Sequence, residues 1–356
     1  MADASPTPVD DTDEVLFEQR GHAGLITLNR PRAINALNLA MVDAMRARLT
    51  LWAERGGADS VDAVVLRGAG ERGLCAGGDV RRQRELALGS PEQHAQALRF
   101  WHDEYLLDEQ IADYPLPFVA FMDGLTMGGG VGLTINASCR IVTPTSKVGM
   151  PEMNIGFFPD VGATYLLSRA PGQIGAHLVL TGEPLDAAGA IYAGLADVMV
   201  SGTEEFEGLV ARLRTGDVGW ARNPRAALVG EVPAAEALET ARSWIDACYV
   251  GDDPAAIVQR LRDHGHPDAA AAAETISAKS PFALHVALRC LRQAESLPTL
   301  RTVLERDDIV ARHLTDEPDF HEGVRAQLVD KDRTPTWRHA SLTDVDPAEV
   351  DAVFTP

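Results

Sequence analysis

The sequence lacks the features that mark membrane, secreted and zinc-binding proteins. No window holds the roughly 18 consecutive apolar residues of a membrane span, and the opening "MADASPTPVDDTDE" is acidic, so we expect neither an anchor nor a signal peptide. The four cysteines are widely spaced without a CxxC pair, which argues against a disulfide framework and a zinc site. We therefore expect a cytoplasmic protein without a bound metal.

Positive charge is also scarce. The formal net charge is −20, and lysine occurs three times in the chain. Nucleic acids and anionic membranes bind basic surfaces, so both are excluded as expected partners. An anionic ligand would have to be held locally by arginines and backbone amides.

What is present is an alternation of strands and helices over most of the 356 residues. "VLFEQRGHAGLITLNR" predicts a β-hairpin, and "NLAMVDAMRARLTLWAER" predicts a helix capped by Asn38. Buried strands are predicted at "DAVVLRG", "PFVAFMDG" and "CRIVTP". The pattern is typical of an α/β layered core.

The predicted organisation has five parts. An acidic disordered tail (1–13) precedes an α/β core (14–215), and a Gly- and Pro-rich linker region (216–233) leads to a C-terminal helical region (234–340) and a final tail (341–356). Five helix-like segments between "AAEALETARSWIDACY" and "LPTLRTVLERDDIVARHL" define the helical region.

Two glycine-containing segments follow predicted strands. They are "LCAGGDV" (74–80) and "DGLTMGGGVGL" (123–133), and neither matches a dinucleotide or P-loop motif. Small residues at such turns let backbone N–H groups approach a ligand oxygen, and two convergent N–H groups would form an oxyanion hole. The alternative interpretation is close helix packing.

A third segment, "MPEMNIGFFPD" (150–160), carries two carboxylates, Glu152 and Asp160, around an apolar run. Partial desolvation tunes a carboxyl group for proton transfer or nucleophilic attack. The prolines at 151 and 159 favour a looped segment that could bring both acids to one pocket. The alternative is a surface loop.

Taken together, these segments resemble the crotonase (enoyl-CoA hydratase/isomerase) superfamily. "LNRPRAINALN" (28–38), "CAGGDV", "GLTMGGGVGL" and "MPEMNIGFFPDVGATYLL" carry the resemblance, and "DFHEGVRAQLVDKDRTPTW" (319–337) is similar to the branch that hydrolyses 3-hydroxyisobutyryl-CoA. The resemblance implies a crotonase-like spiral of ββα turns with a C-terminal helical region. It also implies that the N–H groups of Gly78 and Gly129 hold a thioester oxygen.

The resemblance further implies the reaction. Hydratases of the superfamily carry a glutamate two residues after the glycine triplet, where this chain has Gly132. Glu152 and Asp160 then become the catalytic acids of a CoA thioester hydrolase of valine breakdown, with Glu152 acting either as nucleophile or as general base. Glu104 and Ala76 would contact the substrate.

The expected ligand is an acyl-CoA, with no metal or redox cofactor, and a homo-oligomer is possible. We expect the phosphates of coenzyme A to be held by Arg30 and Arg32, with Arg81 and Arg82 nearby.

Three alternatives stay open at this point. The first is an enoyl-CoA hydratase or isomerase on the same fold. The second is a nucleophile elbow at "GLCAG" (73–77) with Cys75 as the nucleophile. The third is an acyl-CoA-binding relative without catalysis.

Overall fold

A computed structural model describes residues 12–54, 60–228 and 234–355, so nearly all of the predicted acidic tail at 1–13 lies outside the described residues. The described part of the chain forms these strands: β1 (Val15–Arg20), β2 (Ala23–Leu28), β3 (Ala63–Gly68), β4 (Gly73–Cys75), β5 (Phe118–Met122), β6 (Leu125–Met127), β7 (Cys139–Val142), β8 (Lys147–Gly149) and β9 (Val198–Met199).

The helices of the described residues are α1 (Leu39–Ala53), α2 (Val80–Ala87), α3 (Pro91–Ala112), α4 (Gly129–Ile135), α5 (Ala163–Leu167), α6 (Ile174–Thr181), α7 (Ala187–Tyr192), α8 (Thr203–Arg214), α9 (Pro224–Ala227), α10 (Glu236–Cys248), α11 (Pro254–Asp263), α12 (Pro267–Ser277), α13 (Pro281–Ala294), α14 (Leu300–Thr315), α15 (Pro318–Val324) and α16 (Pro347–Val353). Short 3₁₀ turns occur at Pro31–Ala33, Glu152–Ile155, Gly219–Arg222 and Leu342–Asp344, and a π-helical turn at Arg325–Val329. None of the helices within these ranges is long and apolar enough to cross a membrane.

Two sheets organise the α/β core. The larger has the order β1-β2-β3-β5-β7-β9 and is parallel except for the β1–β2 hairpin, while the smaller is parallel with the order β4-β6-β8. Each repeat supplies one strand to each sheet and then turns into a helix or 3₁₀ turn, as in β3-β4-α2 and β5-β6-α4. This is the spiral of ββα turns that the resemblance predicted.

Local sequence signals account for most of these elements. Asn38 caps α1 by accepting a hydrogen bond from the Met41 backbone N–H at 3.0 Å, as predicted. The predicted hairpin is β1–β2, the predicted buried strands are β3, β5 and β7, and the predicted C-terminal helices are α10 to α14. The α/β fold with a helical C-terminal region is therefore confirmed.

The segment predicted to be a linker is more structured than its composition suggested. In its described part, residues 216–228, it forms the 3₁₀ turn Gly219–Arg222 and α9, and the Trp220 side chain is buried against the larger sheet. Residues 229–233 lie outside the described residues. Burial of an indole stabilises a segment that Gly and Pro alone would leave open.

The final segment, predicted to be a tail at 341–356, also differs. It contains α16, whose Val350 and Val353 side chains are buried in the same hydrophobic core as α13 and α14. Two apolar residues three positions apart bury one face of this short helix, a signal too brief to read from periodicity.

Backbone-to-backbone packing fixes α15 against the Glu152–Ile155 turn. A Cβ atom at Gly323 would lie 2.4 Å from the Ile155 carbonyl carbon, and one at Gly156 would lie 2.5 Å from the Asp319 carbonyl oxygen. Both positions therefore need glycine because the two segments touch.

We expect Gly323→Ala to destabilise the protein by about 1–3 kcal/mol because the new methyl group meets fixed backbone atoms. Gly208→Ala is the matched control: Gly208 also lies in a helix, α8, with no atom within 4 Å of a Cβ there. It should be neutral or stabilising by up to about 1 kcal/mol. Equal loss of thermal stability in both variants would contradict this packing argument.

Candidate active site

The two glycine turns lie side by side. A Cβ atom at Gly129 would be 3.3 Å from the Gly78 backbone nitrogen, which places the turn after β4 against the start of α4. Gly77 (φ 99°) and Gly128 (φ 51°) have left-handed backbones that favour glycine. Within the described ranges, neither the Gly78 nor the Gly129 N–H group donates to another backbone carbonyl. Both N–H groups are therefore available to an acceptor.

Glu152 and Asp160 reach the same cavity, although eight residues separate them. Pro151 precedes the 3₁₀ turn that starts at Glu152, and the left-handed Gly156 redirects the chain (φ 67°). Because the segment is looped, both carboxyl groups line a cavity of about 270 Å³. The Glu152 Oε1 atom would lie 2.6 Å from a Cβ atom at Gly128, so this acid packs directly on the glycine triplet.

The cavity wall combines acids, small residues and apolar side chains. Trp101 and Phe157 stack with ring centroids 5.1 Å apart and form part of the apolar wall. The lining residues are Ala76, Gly77, Gly78, Val80, Trp101, Glu104, Gly128, Gly129, Pro151, Glu152, Asn154, Ile155, Phe157, Asp160, Gln327 and Leu328. The predicted site residues Gly78, Ala76, Glu104, Gly129, Glu152 and Asp160 are thus brought together. Their catalytic and binding roles stay predictions.

The predicted arginines are not in this cavity. Arg30 forms ion pairs with Glu14 and Asp79, each at 3.1 Å, and also donates to the Ala36 carbonyl. These contacts neutralise the Arg30 charge within the fold. Asp79, one of the two acidic partners, also caps α2. Arg32 is exposed and lies outside the cavity lining. Their predicted role, binding the phosphates of coenzyme A, concerns a part of the ligand outside this cavity and stays a prediction.

Burial of three carboxyl groups dominates the electrostatics of the cavity. Glu104, Glu152 and Asp160 are 1%, 8% and 3% exposed. Burial, and then the neighbouring Asp160 carboxyl group, raises the pKa of Glu104 and of Glu152 well above the ordinary value for glutamate. Burial raises the pKa of Asp160 to about 7. A carboxyl group with a pKa of about 7, as for Asp160, holds and releases a proton near neutral pH.

A hydrogen bond from Tyr105 limits the rise in the pKa of Asp160. The Tyr105 hydroxyl donates a hydrogen bond of 2.7 Å to Asp160 Oδ2, which favours the ionised carboxylate and keeps the pKa of Asp160 from rising further. An ion pair behind it holds the following turn: Asp307 accepts from the Gly162 N–H at 2.9 Å, and Arg306 pairs with Asp307 at 2.6 Å.

The space beside Gly132, at the position where the superfamily's hydratases carry an acid, is filled by other side chains. A Cβ atom at Gly132 would lie 2.6 Å from Val161 Cβ and 2.8 Å from Asp108 Oδ2. Asp108 is fully buried, and both of its carboxyl oxygens are without a hydrogen-bond partner among the described residues. Burial, and then the Glu104 carboxyl group, raises its pKa well above the ordinary range. Asp108 does not line the cavity.

Cys75 lacks the properties of a nucleophile. Its side chain is fully buried, and burial raises the pKa of its thiol to about 12, so the thiolate is disfavoured at neutral pH. The geometry therefore speaks against a nucleophile elbow at residues 73–77. No group of three or more His, Cys, Asp or Glu side chains suited to a metal ion occurs in the described ranges.

Sequence reasoning missed Tyr105, Asp108, Gln327 and Leu328. A signal for one of them, Asp108, was present in "WHDEYLLDE": it lies four residues after the predicted Glu104, hence on the same helix face, amid apolar residues of α3. Gln327 and Leu328 carried no local signal, since they reach the cavity from 175 residues after Glu152.

Comparison with known proteins supports a family assignment. The family model described as enoyl-CoA hydratase/isomerase matches residues 23–354. The chain is 36% identical to mitochondrial 3-hydroxyisobutyryl-CoA hydrolase of Rattus norvegicus, covering 97% of this chain and 89% of the relative.

Solved structures agree on the fold. A carnitinyl-CoA dehydratase from Mycobacterium thermoresistibile is 46% identical, with a TM-score of 0.89 and 97% of each chain covered. An enoyl-CoA hydratase from Rhodobacter sphaeroides is 38% identical, with a TM-score of 0.88 and coverage of 97% of this chain and 98% of the other.

The comparison corrects one expectation. A cytoplasmic location was predicted from the cysteine pattern. This prediction is wrong, because the curated relatives are named as mitochondrial enzymes. Free, buried cysteines indicate a reducing environment, and this property does not distinguish one reducing compartment from another.

We expect Tyr105→Phe to raise the pKa of Asp160 above about 7, because the hydrogen bond that favours the carboxylate is lost. Whichever limb of the pH profile of kcat/KM depends on Asp160 should move to higher pH by about half a unit or more. Tyr114→Phe is the control, since its hydroxyl donates to the Leu49 carbonyl at 2.8 Å, away from the acids. An unmoved profile in Tyr105→Phe would refute the role of this hydrogen bond.

Proposed function

This chain belongs to the enoyl-CoA hydratase/isomerase family, and from that membership we propose that it is a coenzyme A thioester hydrolase acting on 3-hydroxyisobutyryl-CoA. The products would be 3-hydroxyisobutyrate and free coenzyme A. The observation that carries the proposal is a single cavity in which Glu152 and Asp160 face the turns of Gly78 and Gly129.

The backbone N–H groups of Gly78 and Gly129 would bind the thioester oxygen. Their side-by-side position and their lack of a backbone acceptor support this role. As the carbonyl carbon becomes tetrahedral, negative charge develops on that oxygen, and two fixed donors stabilise it without reorganisation. Each such donor typically contributes about 3–4 kcal/mol to the lowering of the barrier.

Glu152 would act on the carbonyl carbon by one of two routes. As a nucleophile it forms a mixed anhydride by a new C–O bond while the C–S bond breaks, and water then cleaves the anhydride. As a general base it takes a proton from the water that attacks the carbon. Both routes need ionised Glu152, whereas burial, and then the charges of Asp160 and Glu104, raise its pKa well above the ordinary value. Ionisation of Glu152 is therefore easier when Asp160 and Glu104 carry protons, because protonation removes those neighbouring charges.

Asp160 would deliver a proton to the departing thiolate of coenzyme A. Its pKa of about 7 suits a group that must both hold and release a proton near neutrality. The balance of the reaction needs water alone as co-reactant, so the proposal includes no metal and no redox cofactor. Coenzyme A enters as part of the substrate.

Hydration of a 2-enoyl-CoA is the second candidate, and the names of the two solved structures support it. Hydration needs two groups that hold water and transfer its proton. Gly132 has no side chain that could serve as one of them. Asp108 fills the adjacent space, but it lies outside the cavity lining. The arrangement of acids therefore favours hydrolysis.

We expect Glu152→Gln to lower kcat for thioester hydrolysis by a factor of about 10³ or more while changing ligand affinity little, because the amide keeps the shape and loses the base or nucleophile. Thiol release measures kcat, and calorimetric titration with free coenzyme A measures binding. Glu274→Gln, on the exposed face of α12, is the control and should behave as the wild type. Near-normal hydrolysis by Glu152→Gln would exclude the proposed mechanism.

The wild type should release thiol from 3-hydroxyisobutyryl-CoA and hydrate a 2-enoyl-CoA negligibly. Both rates are measured on one preparation, with a thiol reagent for hydrolysis and loss of the enoyl absorbance for hydration. Hydration that is faster than hydrolysis would replace the hydrolase proposal by the hydratase alternative. Turnover of neither substrate would favour an acyl-CoA-binding protein.

A further inference from the structure

The C-terminal motif at residues 319–337 reaches the catalytic cavity. It forms α15 and then the π-helical turn Arg325–Val329, which places Gln327 and Leu328 in the cavity wall. π-Helical turns interrupt regular helices and are frequent at functional sites. The motif therefore contributes to the site as well as to the fold.

Hydrogen bonds hold this motif in one conformation. Asp319 accepts from the Ser280 hydroxyl at 2.5 Å and from the Arg338 backbone N–H at 2.7 Å. Glu322 accepts from the Thr336 backbone N–H and from Arg325, both at 2.8 Å. Because these hydrogen bonds fix the residues on either side of it, the π-helical turn is held in place within the motif.

The motif is also fixed relative to both halves of the site. The Arg84 side chain, on the helix that follows the Gly78 turn, donates to the His321 carbonyl at 2.8 Å. Gly323 meets the backbone of the turn that carries Glu152. Gln327 and Leu328 are therefore positioned against the acids and the glycine turns by contacts on two sides.

The chemistry of Gln327 differs from that of the acids that line the same cavity. Glu104, Glu152 and Asp160 gain or lose protons, whereas a carboxamide donates and accepts hydrogen bonds at every working pH. Asp160 Oδ2 already accepts from Tyr105. Gln327 is half-buried and lines the cavity, so its carboxamide is a candidate hydrogen-bond partner for a ligand there.

We propose that Gln327 binds the hydroxyl group of the 3-hydroxyacyl substrate and that Leu328 packs against its carbon branch, which makes the π-helical turn the element that selects the acyl group. This inference rests on the proposed hydrolase function. A polar group that binds a substrate hydroxyl discriminates strongly against the analogue without it, because that analogue leaves the polar group unpaired.

The test compares 3-hydroxyisobutyryl-CoA with isobutyryl-CoA, which lacks the hydroxyl group. Gln327→Met keeps the side-chain length and removes the carboxamide. We expect the ratio of kcat/KM for the hydroxylated over the unhydroxylated thioester to fall by about tenfold or more, with kcat/KM for isobutyryl-CoA unchanged or higher. Gln259→Met, on α11, should leave the ratio unchanged, since Gln259 hydrogen-bonds Asp263 on the same helix.

Equal losses on both thioesters would overturn the inference, because a merely structural role does not distinguish the substrates. Hydrolysis of isobutyryl-CoA reports whether the variant is folded, and Gln327→Ala is measured in the same way if Gln327→Met is inactive on both. If the ratio is unchanged in both variants and the wild type is active, the role of Gln327 is overturned, while the proposed hydrolase function still stands. A wild type that does not hydrolyse 3-hydroxyisobutyryl-CoA overturns the proposed function as well.

Discussion

The burial of carboxyl groups around one cavity is the constraint on which the rest of the structure depends. Glu104, Asp108, Glu152 and Asp160 are almost fully buried, and the buried Arg306 guanidinium is paired with a further acid, Asp307. Ionised carboxylates in an apolar core are costly, so burial favours the protonated forms, and the raised pKa values make the folded state bind more protons than the unfolded chain. The sign of the linkage follows: for Asp160 this contribution to stability is fully present below the ordinary pKa of 3.8 and is lost as the pH rises through about 7.

The surrounding fold supplies what such a cavity requires. Parallel pairing of β4 with β6 in the smaller sheet brings their ends together, so that the Gly78 and Gly129 turns become neighbours although they are 51 positions apart. Glycine is needed at position 129 because a side chain there would enter the space of an acid: a Cβ atom at Gly129 would lie 2.1 Å from Glu104 Oε1. The same close approach that excludes side chains leaves backbone N–H groups as the donors of the site.

Hydrolysis and hydration differ here by the placement of one acid. The chain has no carboxyl group at position 132, and Asp108, one helical turn from Glu104 on α3, fills the adjacent space. A side chain at position 132 would collide with Val161, a residue whose left-handed backbone (φ 51°) shows how tightly the turn after Asp160 is held. With glycine at position 132 and Asp108 beside it, an acid lies near the cavity but is not exposed to substrate. This placement supports thioester hydrolysis as the reaction.

The sequence by itself determined the β1–β2 hairpin, α1, the buried strands β3, β5 and β7 and the helices α10 to α14, because these depend on short-range patterns of apolar residues and caps. The grouping of Gly78, Gly129, Glu152 and Asp160 was implied by the family resemblance that the sequence motifs carry. The sequence did not reveal that Arg30, predicted to bind phosphate, forms ion pairs with Glu14 and Asp79, because charge alone does not identify the partners of a side chain. Only the tertiary structure decided which distant residues complete the cavity. Tyr105 contacts Asp160, Asp108 packs against Gly132, and Gln327 lines the same cavity as the acids, all through packing between elements far apart in the chain. No local periodicity encodes such proximity.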